Sequence, residues 1–151
     1  MKEEHHHPGG DYQAIANLKA AYIDAADGGW TGEPPHDGEA IAQLFVQDGC
    51  WDAGEIGKAE GREEIRSFFE KAIEAFPMVF HHTSSPRIEV EGDAARGQWH
   101  VMVPMIDRDQ PKLLIGIYED DFVRTEGGWR FKRLSFTRSA TLDLPNGWRR
   151  D

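Results

Sequence analysis

The sequence is short of cysteine and of long apolar runs, and each shortage excludes a class of protein. A single cysteine, Cys50, occurs in 151 residues, so no disulfide can form within the chain, and no secretory pattern opens it. A reducing cytoplasm is therefore the expected location. The longest apolar runs, such as residues 113–117, are far too short to cross a bilayer, so no membrane partner is expected.

Positive charge is also scarce. The chain has 17 lysines and arginines against 27 aspartates and glutamates, which gives a formal net charge of -10. Because such a surface repels phosphate backbones, nucleic acid is not an expected partner. There is no Cys/His cluster, phosphate-binding loop or dinucleotide fingerprint, so the sequence predicts no cofactor and no metal. Three adjacent histidines at positions 5–7 lack the framework of a defined metal site and are equally consistent with an expression tag.

Apolar residues are abundant enough for one folded domain. Hydrophobic residues make up 39% of the chain and aromatic residues 11%, which is too many for a disordered protein of this length. The charged, His-rich residues 1–10 end in Pro-Gly-Gly and predict a mobile tail. We therefore expect a tail at 1–10, one domain at 11–138 and a C-terminal tail at 139–151.

Three helices are predicted in the first half of the chain. The first begins at Asp11 as N-cap and ends at Gly28, and Asp37 caps a short second helix that carries Ile41, Leu44 and Phe45 inward. The third has a continuous apolar stripe and ends at Pro77. Its stripe consists of Ile65, Phe68, Phe69, Ala72, Ile73 and Phe76.

Strands are predicted in the second half, after a short one at 50–53. The period of the apolar residues changes from about four to two, which predicts strands at 79–91, 94–106, 112–124 and 129–138 joined by hairpin turns. Helices followed by a run of hairpin-linked strands indicate an α+β fold with the helices on one face of a curved antiparallel sheet.

Two residue types could form an acid–base site. Asp24 and Asp27 fall in the last turn of the first helix, where the helix dipole disfavours negative charge. His81 and His82 are adjacent at the start of a strand, so only one of them can face a pocket. An aspartate bonded to one imidazole nitrogen would fix the tautomer and leave the other nitrogen as a general base. Spacing alone does not show that Asp27 and His81 meet.

The order of several short motifs resembles the SnoaL-like branch of the nuclear transport factor 2-like superfamily, over about residues 11–144. The matching features are Asp-Tyr-Gln-Ala-Ile-Ala-Asn-Leu from Asp11, Leu44-Phe45 with Asp48, Gly61, His81 and Gly-Gly-Trp-Arg-Phe from Gly127. The resemblance implies a cone-shaped α+β barrel with one internal pocket. The lyases of this superfamily include dehydratases and a dehydrochlorinase. Similarity to them implies a catalytic Asp–His pair at Asp27 and His81, with Tyr22 assisting the departure of the leaving group.

The resemblance also implies a charged group on the final strand. The position aligned with the lyase arginine is Leu134, so we assign that role to Arg138, which strand alternation puts on the same face. His100 is a further candidate for the pocket, by similarity to a second histidine in the dehydratases. The predicted catalytic set is thus His81, Asp27, Tyr22 and Arg138.

An aromatic lining predicts a flat, largely apolar aromatic or polycyclic substrate. The resemblance to the dehydrochlorinase implies Trp51 and Ile115 as lining residues, although Trp51 is equally consistent with a core residue. The aromatic residues predicted to line the pocket with them are Phe76, Phe80 and Trp30. The implied reaction is a dehydratase-type elimination without cofactor, and formaldehyde release from aryl propanediols is a related possibility. There are two alternatives to a lyase. One is an isomerase or cyclase with the same pocket, and the other is a domain that only binds a small ligand. The resemblance further implies a homo-oligomer, with a trimer favoured over a dimer.

Overall fold

The computed structural model describes residues 8–147. Three α-helices, one short 3-10 helix and seven strands follow one another along the chain. Their bounds are α1 Pro8–Asp27, α2 Gly38–Gln43, β1 Phe45–Asp52, the 3-10 turn Gly54–Ile56, β2 Lys58–Glu60, α3 Gly61–Ala75, β3 Met78–Val79, β4 His82–Glu91, β5 Ala94–Asp107, β6 Gln110–Thr125 and β7 Gly128–Asp143.

The strands form one strongly curled sheet. Its order is β2-β1-β7-β6-β5-β3, and β4 pairs with the other part of the same edge of β5. β1 runs parallel to β7, and every other pairing is antiparallel. The curled sheet with helices on its concave side forms a half-barrel, which confirms the predicted α+β fold with helices packed on a curved, mostly antiparallel sheet.

The alternation of β5 shows how the sheet separates core from surface. Trp99, Val101 and Val103 are buried on the concave face, whereas His100 and Met102 are exposed on the convex face. This alternation was predicted, but it makes the further suggestion of a pocket role for His100 wrong. The concave face packs against the inward stripe of α1, which consists of Ile15, Leu18, Lys19, Tyr22 and Ala26.

Asp11 is not the N-cap that the sequence predicts. Helix α1 begins earlier, at Pro8, and the buried Asp11 carboxylate instead binds across to the sheet. Arg124 donates to both of its oxygens at 2.8 and 3.0 Å, and Trp129 Nε1 donates to Oδ1 at 3.1 Å. This bidentate contact fastens the first turn of α1 to the ends of β6 and β7.

The strands differ from the prediction at four places. Phe45 begins β1 and does not end the second helix, because the chain pairs there with β7: Phe45 lies opposite Phe131, and the Phe131 N–H donates to the Leu44 carbonyl at 2.9 Å. The short strand β2 was not predicted. The predicted strand at 79–91 is two strands, with Phe80 and His81 in the break between them. β7 continues along β6 to Asp143, past the predicted domain limit at 138, and Trp148 of the predicted tail lies outside the described residues.

A buried ion pair crosses the core. Lys19 Nζ lies 2.8 Å from Asp120 Oδ2, and both side chains are almost completely inaccessible. The ammonium also lies 3.3 Å from the centre of the Tyr118 ring. Burial lowers the pKa of Lys19 to about 8 and raises that of Asp120. The pair links α1 to β6 behind Tyr118, where hydrophobic side chains surround it.

Removing only one charge of this pair should destabilise the fold. We expect Lys19→Met to lower the free energy of unfolding by about 3–5 kcal/mol, because it leaves the Asp120 carboxylate buried without its partner. Lys19→Met combined with Asp120→Asn should be more stable than Lys19→Met alone, since Asn carries no charge and can still accept from the Ser135 N–H. Urea unfolding of the native protein, of Lys19→Met, of Asp120→Asn and of the double variant measures this coupling, and strictly additive losses would contradict it.

Candidate active site

A cavity of about 70 Å³ lies between the helices and the concave face of the sheet. Five side chains with polar atoms reach its wall, namely Tyr22, His36, Trp51, His81 and Tyr118. The rest of the wall is apolar and consists of Ala26, Ala53, Ile56, Phe68, Phe69, Ala72, Phe76, Val79, Val103, Met105, Leu114 and Phe136. Polar groups in such surroundings interact strongly with each other and with any ligand.

Asp27 and His81 meet at this wall. Asp27 is the last residue of α1, and Gly28 and Gly29 follow it with φ of 71° and 66°, a left-handed conformation that suits glycine and ends the helix. His81 lies in the break between β3 and β4. Its Nδ1 is 2.5 Å from Asp27 Oδ1, and its backbone N–H donates to Asp27 Oδ2 at 2.6 Å.

These contacts fix the state of the histidine ring. A carboxylate can only accept, so Nδ1 carries the hydrogen and Nε2 keeps its lone pair in the neutral ring. Nε2 has no hydrogen-bond partner among the described side chains. The adjacent His82 is exposed on β4. The arrangement is that of a general base held by a buried carboxylate.

Trp30 and Phe80 support this pair from outside the cavity. Trp30 Nε1 donates to Asp27 Oδ2 at 2.8 Å, and the Trp30 ring packs edge-on against Phe80 with 5.3 Å between ring centres. Neither side chain lies on the cavity wall, and Trp30 is 53% exposed. The prediction that these two residues line the cavity is therefore wrong, because the left-handed turn after α1 directs Trp30 outward. Trp30 instead holds the Asp27 carboxylate, and Phe80 packs against Trp30.

Tyr22 faces the same cavity and is fully buried. Its hydroxyl oxygen accepts a hydrogen bond from Trp51 Nε1 at 2.9 Å, and its ring centre is 6.3 Å from that of His81. Burial raises the pKa of Tyr22 well above its usual value, so the phenol remains a proton donor. Trp51 and Phe76 also lie on the wall.

Ile115 does not face the cavity. It pairs with Met102 and Ala140 on the neighbouring strands, and its neighbour Leu114 is the residue on the cavity wall. Because side chains alternate along β6, the predicted lining residue is displaced by one position.

Arg138 lies outside the cavity, in a surface depression beside it. Its guanidinium donates to Glu55 Oε2 at 2.8 Å, and its side chain is 42% exposed. Strand alternation gave the correct face, because Arg138 continues the row of Leu134 and Phe136 in an unbroken register. Phe136 is the residue of this row on the cavity wall, and Arg138, two residues further on, lies beyond the cavity. Within residues 8–147, no lysine or arginine lines the cavity.

His36 is on the wall and was not predicted. It follows two prolines in the loop between α1 and α2, and its backbone N–H donates to the Ala26 carbonyl at 3.0 Å. Nothing in the periodicity marks such a loop residue, although a histidine directly before the Asp37 cap was a possible signal. In the described part of the chain, no three His, Cys, Asp or Glu side chains are grouped as metal ligands.

The apolar cavity within a curled α+β sheet defines a small-molecule domain of the nuclear transport factor 2-like type. The SnoaL-like domain family matches residues 10–135, and the chain belongs to that family. An uncharacterized protein of Mycobacterium tuberculosis is 33% identical over 103 residues, which are 65% of this chain and 69% of the relative. No helix within residues 8–147 is long and apolar enough to cross a membrane.

Solved structures with the same fold include proteins assigned as enzymes. A protein of Novosphingobium aromaticivorans assigned as an aromatic ring hydroxylase is 25% identical, with a TM-score of 0.78, and the match covers 93% of this chain and 98% of that one. One assigned as a scytalone dehydratase, from the same species, is 25% identical, with a TM-score of 0.74 and coverage of 88% and 87%. Hexachlorocyclohexane dehydrochlorinase LinA-type3 of Novosphingobium barchaimii, at 18% identity, has a TM-score of 0.80 over 94% and 96% and shares the fold.

Loss of the Trp30 indole donor should weaken the fold around Asp27. We expect Trp30→Phe to lower the free energy of unfolding by about 1–3 kcal/mol, because the buried carboxylate loses one of its donors while the ring contact with Phe80 is kept. Tyr12→Phe, at an exposed aromatic residue of α1, is the control and should change stability by less than about 0.5 kcal/mol. Urea unfolding measures both, and equal effects would argue against the bond.

Proposed function

We propose that the protein is a cofactor-independent lyase that eliminates a leaving group from a small, flat, largely apolar aromatic compound. The contact between Asp27 and His81 Nδ1, on the wall of an apolar cavity that also holds the Tyr22 hydroxyl, is the observation that carries this proposal. Membership of the SnoaL-like family, with dehydratase-type structural relatives, supports it further.

The proposed reaction begins with proton removal. His81 Nε2 takes a proton from a substrate carbon, and the electrons of that C–H bond form a double bond to the neighbouring carbon. The C–O bond at that carbon breaks, and the departing oxygen receives a proton from the Tyr22 hydroxyl or from the His81 imidazolium and leaves as water. The Asp27 carboxylate stabilises the imidazolium formed after the first step.

The size of the cavity limits the substrate. Ligand pockets usually enclose about 300–1,000 Å³, whereas this cavity measures about 70 Å³. Part of the wall must therefore move before even one aromatic ring can enter. Ile56, Phe76, Met105 and Leu114 line both the cavity and the surface depression beside Arg138, so these side chains form the expected entrance. A single ring fits this arrangement better than a polycyclic compound.

Isomerisation is the second candidate, and the absence of a cation favours it. Within residues 8–147 the cavity wall carries no arginine or lysine to stabilise a departing anion. A base and a phenol donor are sufficient to move a proton from one carbon to another through an enolate. The mass of the product distinguishes the reactions, since isomerisation conserves mass, whereas elimination releases water and the related cleavage releases formaldehyde.

The dyad should be essential for turnover. We expect His81→Ala to reduce the turnover of a responsive aryl alcohol by at least about 10²–10⁴-fold, the usual contribution of a positioned acid–base group. Asp27→Asn should also cause a large loss. Its amide offers one acceptor oxygen where the carboxylate offers two, so at least one of the donors from His81 and Trp30 faces an N–H group.

Matched controls are available next to both residues. His82→Ala changes the exposed neighbouring histidine, and Asp24→Asn changes an exposed aspartate in the same last turn of α1; both should retain full activity. Substrates are found by screening aryl alcohols with mass detection of products. Full activity of His81→Ala on such a substrate would remove the base from the proposal.

The Tyr22 hydroxyl should contribute separately from its structural bond to Trp51. We expect Tyr22→Phe to lower kcat by about 10²-fold or more, because it removes the phenol proton that we assign to the departing oxygen. Trp51→Phe removes the same hydrogen bond but keeps the phenol, so it should lower kcat much less. Equal losses in the two variants would indicate that Tyr22 acts only through packing.

A further inference from the structure

His36 places a second imidazole at the cavity wall. Its backbone has φ of 64°, and its position is fixed by the hydrogen bond from its N–H to Ala26. The following residue, Asp37, donates its own backbone N–H to Ala25 and accepts from the Ala40 N–H with its side chain. The loop is therefore bound to the end of α1 on one side and to the start of α2 on the other.

One ring nitrogen of His36 has a defined partner. Nε2 lies 2.7 Å from the carbonyl oxygen of Phe76, at the C-terminal end of α3. A carbonyl oxygen can only accept a hydrogen bond, so Nε2 carries the hydrogen. In the neutral ring, Nδ1 is therefore an acceptor. Burial lowers the pKa of His36, partly offset by the hydrogen bond to the Phe76 carbonyl, and this favours the neutral ring.

The other ring nitrogen has no partner. His36 Nδ1 is buried, and within residues 8–147 no hydrogen-bond partner contacts it. It is the only buried side-chain nitrogen or oxygen of that kind in the described part of the chain. Leaving such an acceptor unsatisfied costs about 1–3 kcal/mol, so native proteins rarely keep one without a reason.

We propose that His36 Nδ1 accepts a hydrogen bond from a hydroxyl group of the ligand, so that the cavity selects hydroxylated aromatic compounds over otherwise equal compounds without a donor. This inference rests on the proposed use of the cavity and specifies its ligand. The recognised hydroxyl is separate from the group that leaves, because in the proposed reaction His81 acts on the substrate C–H bond and Tyr22 on the departing oxygen. A donor on the ligand satisfies the buried nitrogen, whereas an ether, a halide or a hydrocarbon leaves it unpaired.

Paired small probes can test this selection without turnover. We choose para-fluorophenol and para-fluoroanisole, which share one ring and differ in the presence of a donor. Fluorine NMR titration gives the two dissociation constants. The native protein should bind the phenol about tenfold more tightly, since one net hydrogen bond of about 1.4 kcal/mol corresponds to a factor of ten.

Variants assign the preference to one residue. In His36→Phe the acceptor is lost, and the ratio of the two dissociation constants should fall to about one. In His36→Gln, which can donate to the Phe76 carbonyl and offers an amide oxygen, part of the preference should return. His81→Ala should keep the preference, so this result is independent of catalysis. If the native protein turns over no aryl alcohol but still prefers the phenol, or if His81→Ala keeps full activity, the lyase proposal fails and this inference stands.

Nitrogen NMR of the native protein gives a second measurement that needs no variant. The unprotonated Nδ1 resonance of His36 should move upfield with the phenol and stay in place with the anisole. A ratio near one in the native protein, a ratio unchanged in His36→Phe, or no binding of the phenol would each overturn the inference. The first of these outcomes is expected if a water molecule already satisfies Nδ1.

Discussion

The buried Asp27 carboxylate is the contact on which the site depends. It joins the end of α1 to the break between two strands, and its two oxygens accept from His81 Nδ1, from the His81 backbone N–H and from Trp30 Nε1. Without these donors, a carboxylate with an inaccessible side chain at a helix C-terminus would be strongly unfavourable. The same bonds that make its burial possible orient the imidazole, so stability and chemistry share one set of contacts.

A second layer of polar groups lies behind the cavity. Lys19 and Asp120 form a closed pair, and the Lys19 ammonium lies over the face of Tyr118. Tyr118 and Tyr22 then bring phenol groups to the cavity wall. The charges of Lys19 and Asp120 thus lie behind the Tyr118 ring and not on the cavity wall. Apart from the Asp27–His81 pair, the wall presents only neutral donors and acceptors. Such a wall suits an uncharged aromatic ligand better than an anion.

Much of the fold followed from periodicity, because apolar alternation decides which face of a helix or strand is buried. The helical stripe of α3 and the alternating faces of β5 are of this kind. Phe45 is buried in either assignment, so its pattern could not distinguish a helix end from the start of β1. Lys19 also lay within the apolar stripe of α1, but its partner Asp120 is 101 residues away. Pairing over such a distance depends on the tertiary fold and has no local signal.

The candidate site was likewise predicted only in part. The family resemblance supplied Asp27, His81 and Tyr22, and the structure brings all three together. Spacing was weaker on the long strands, because a shift by one residue, as at Ile115, reverses what a side chain faces, and a strand such as β7 extends beyond the cavity before it reaches Arg138.

His36 was missed for a different reason, since its place at the wall depends on a left-handed loop residue and on the end of a distant helix. The dyad carries the proposed reaction, whereas the unpaired acceptor of His36 carries the proposed choice of ligand, because only a ligand with a donor satisfies it. The two proposals thus rest on two histidines in different connections of the chain, so a substitution of one should leave the property assigned to the other.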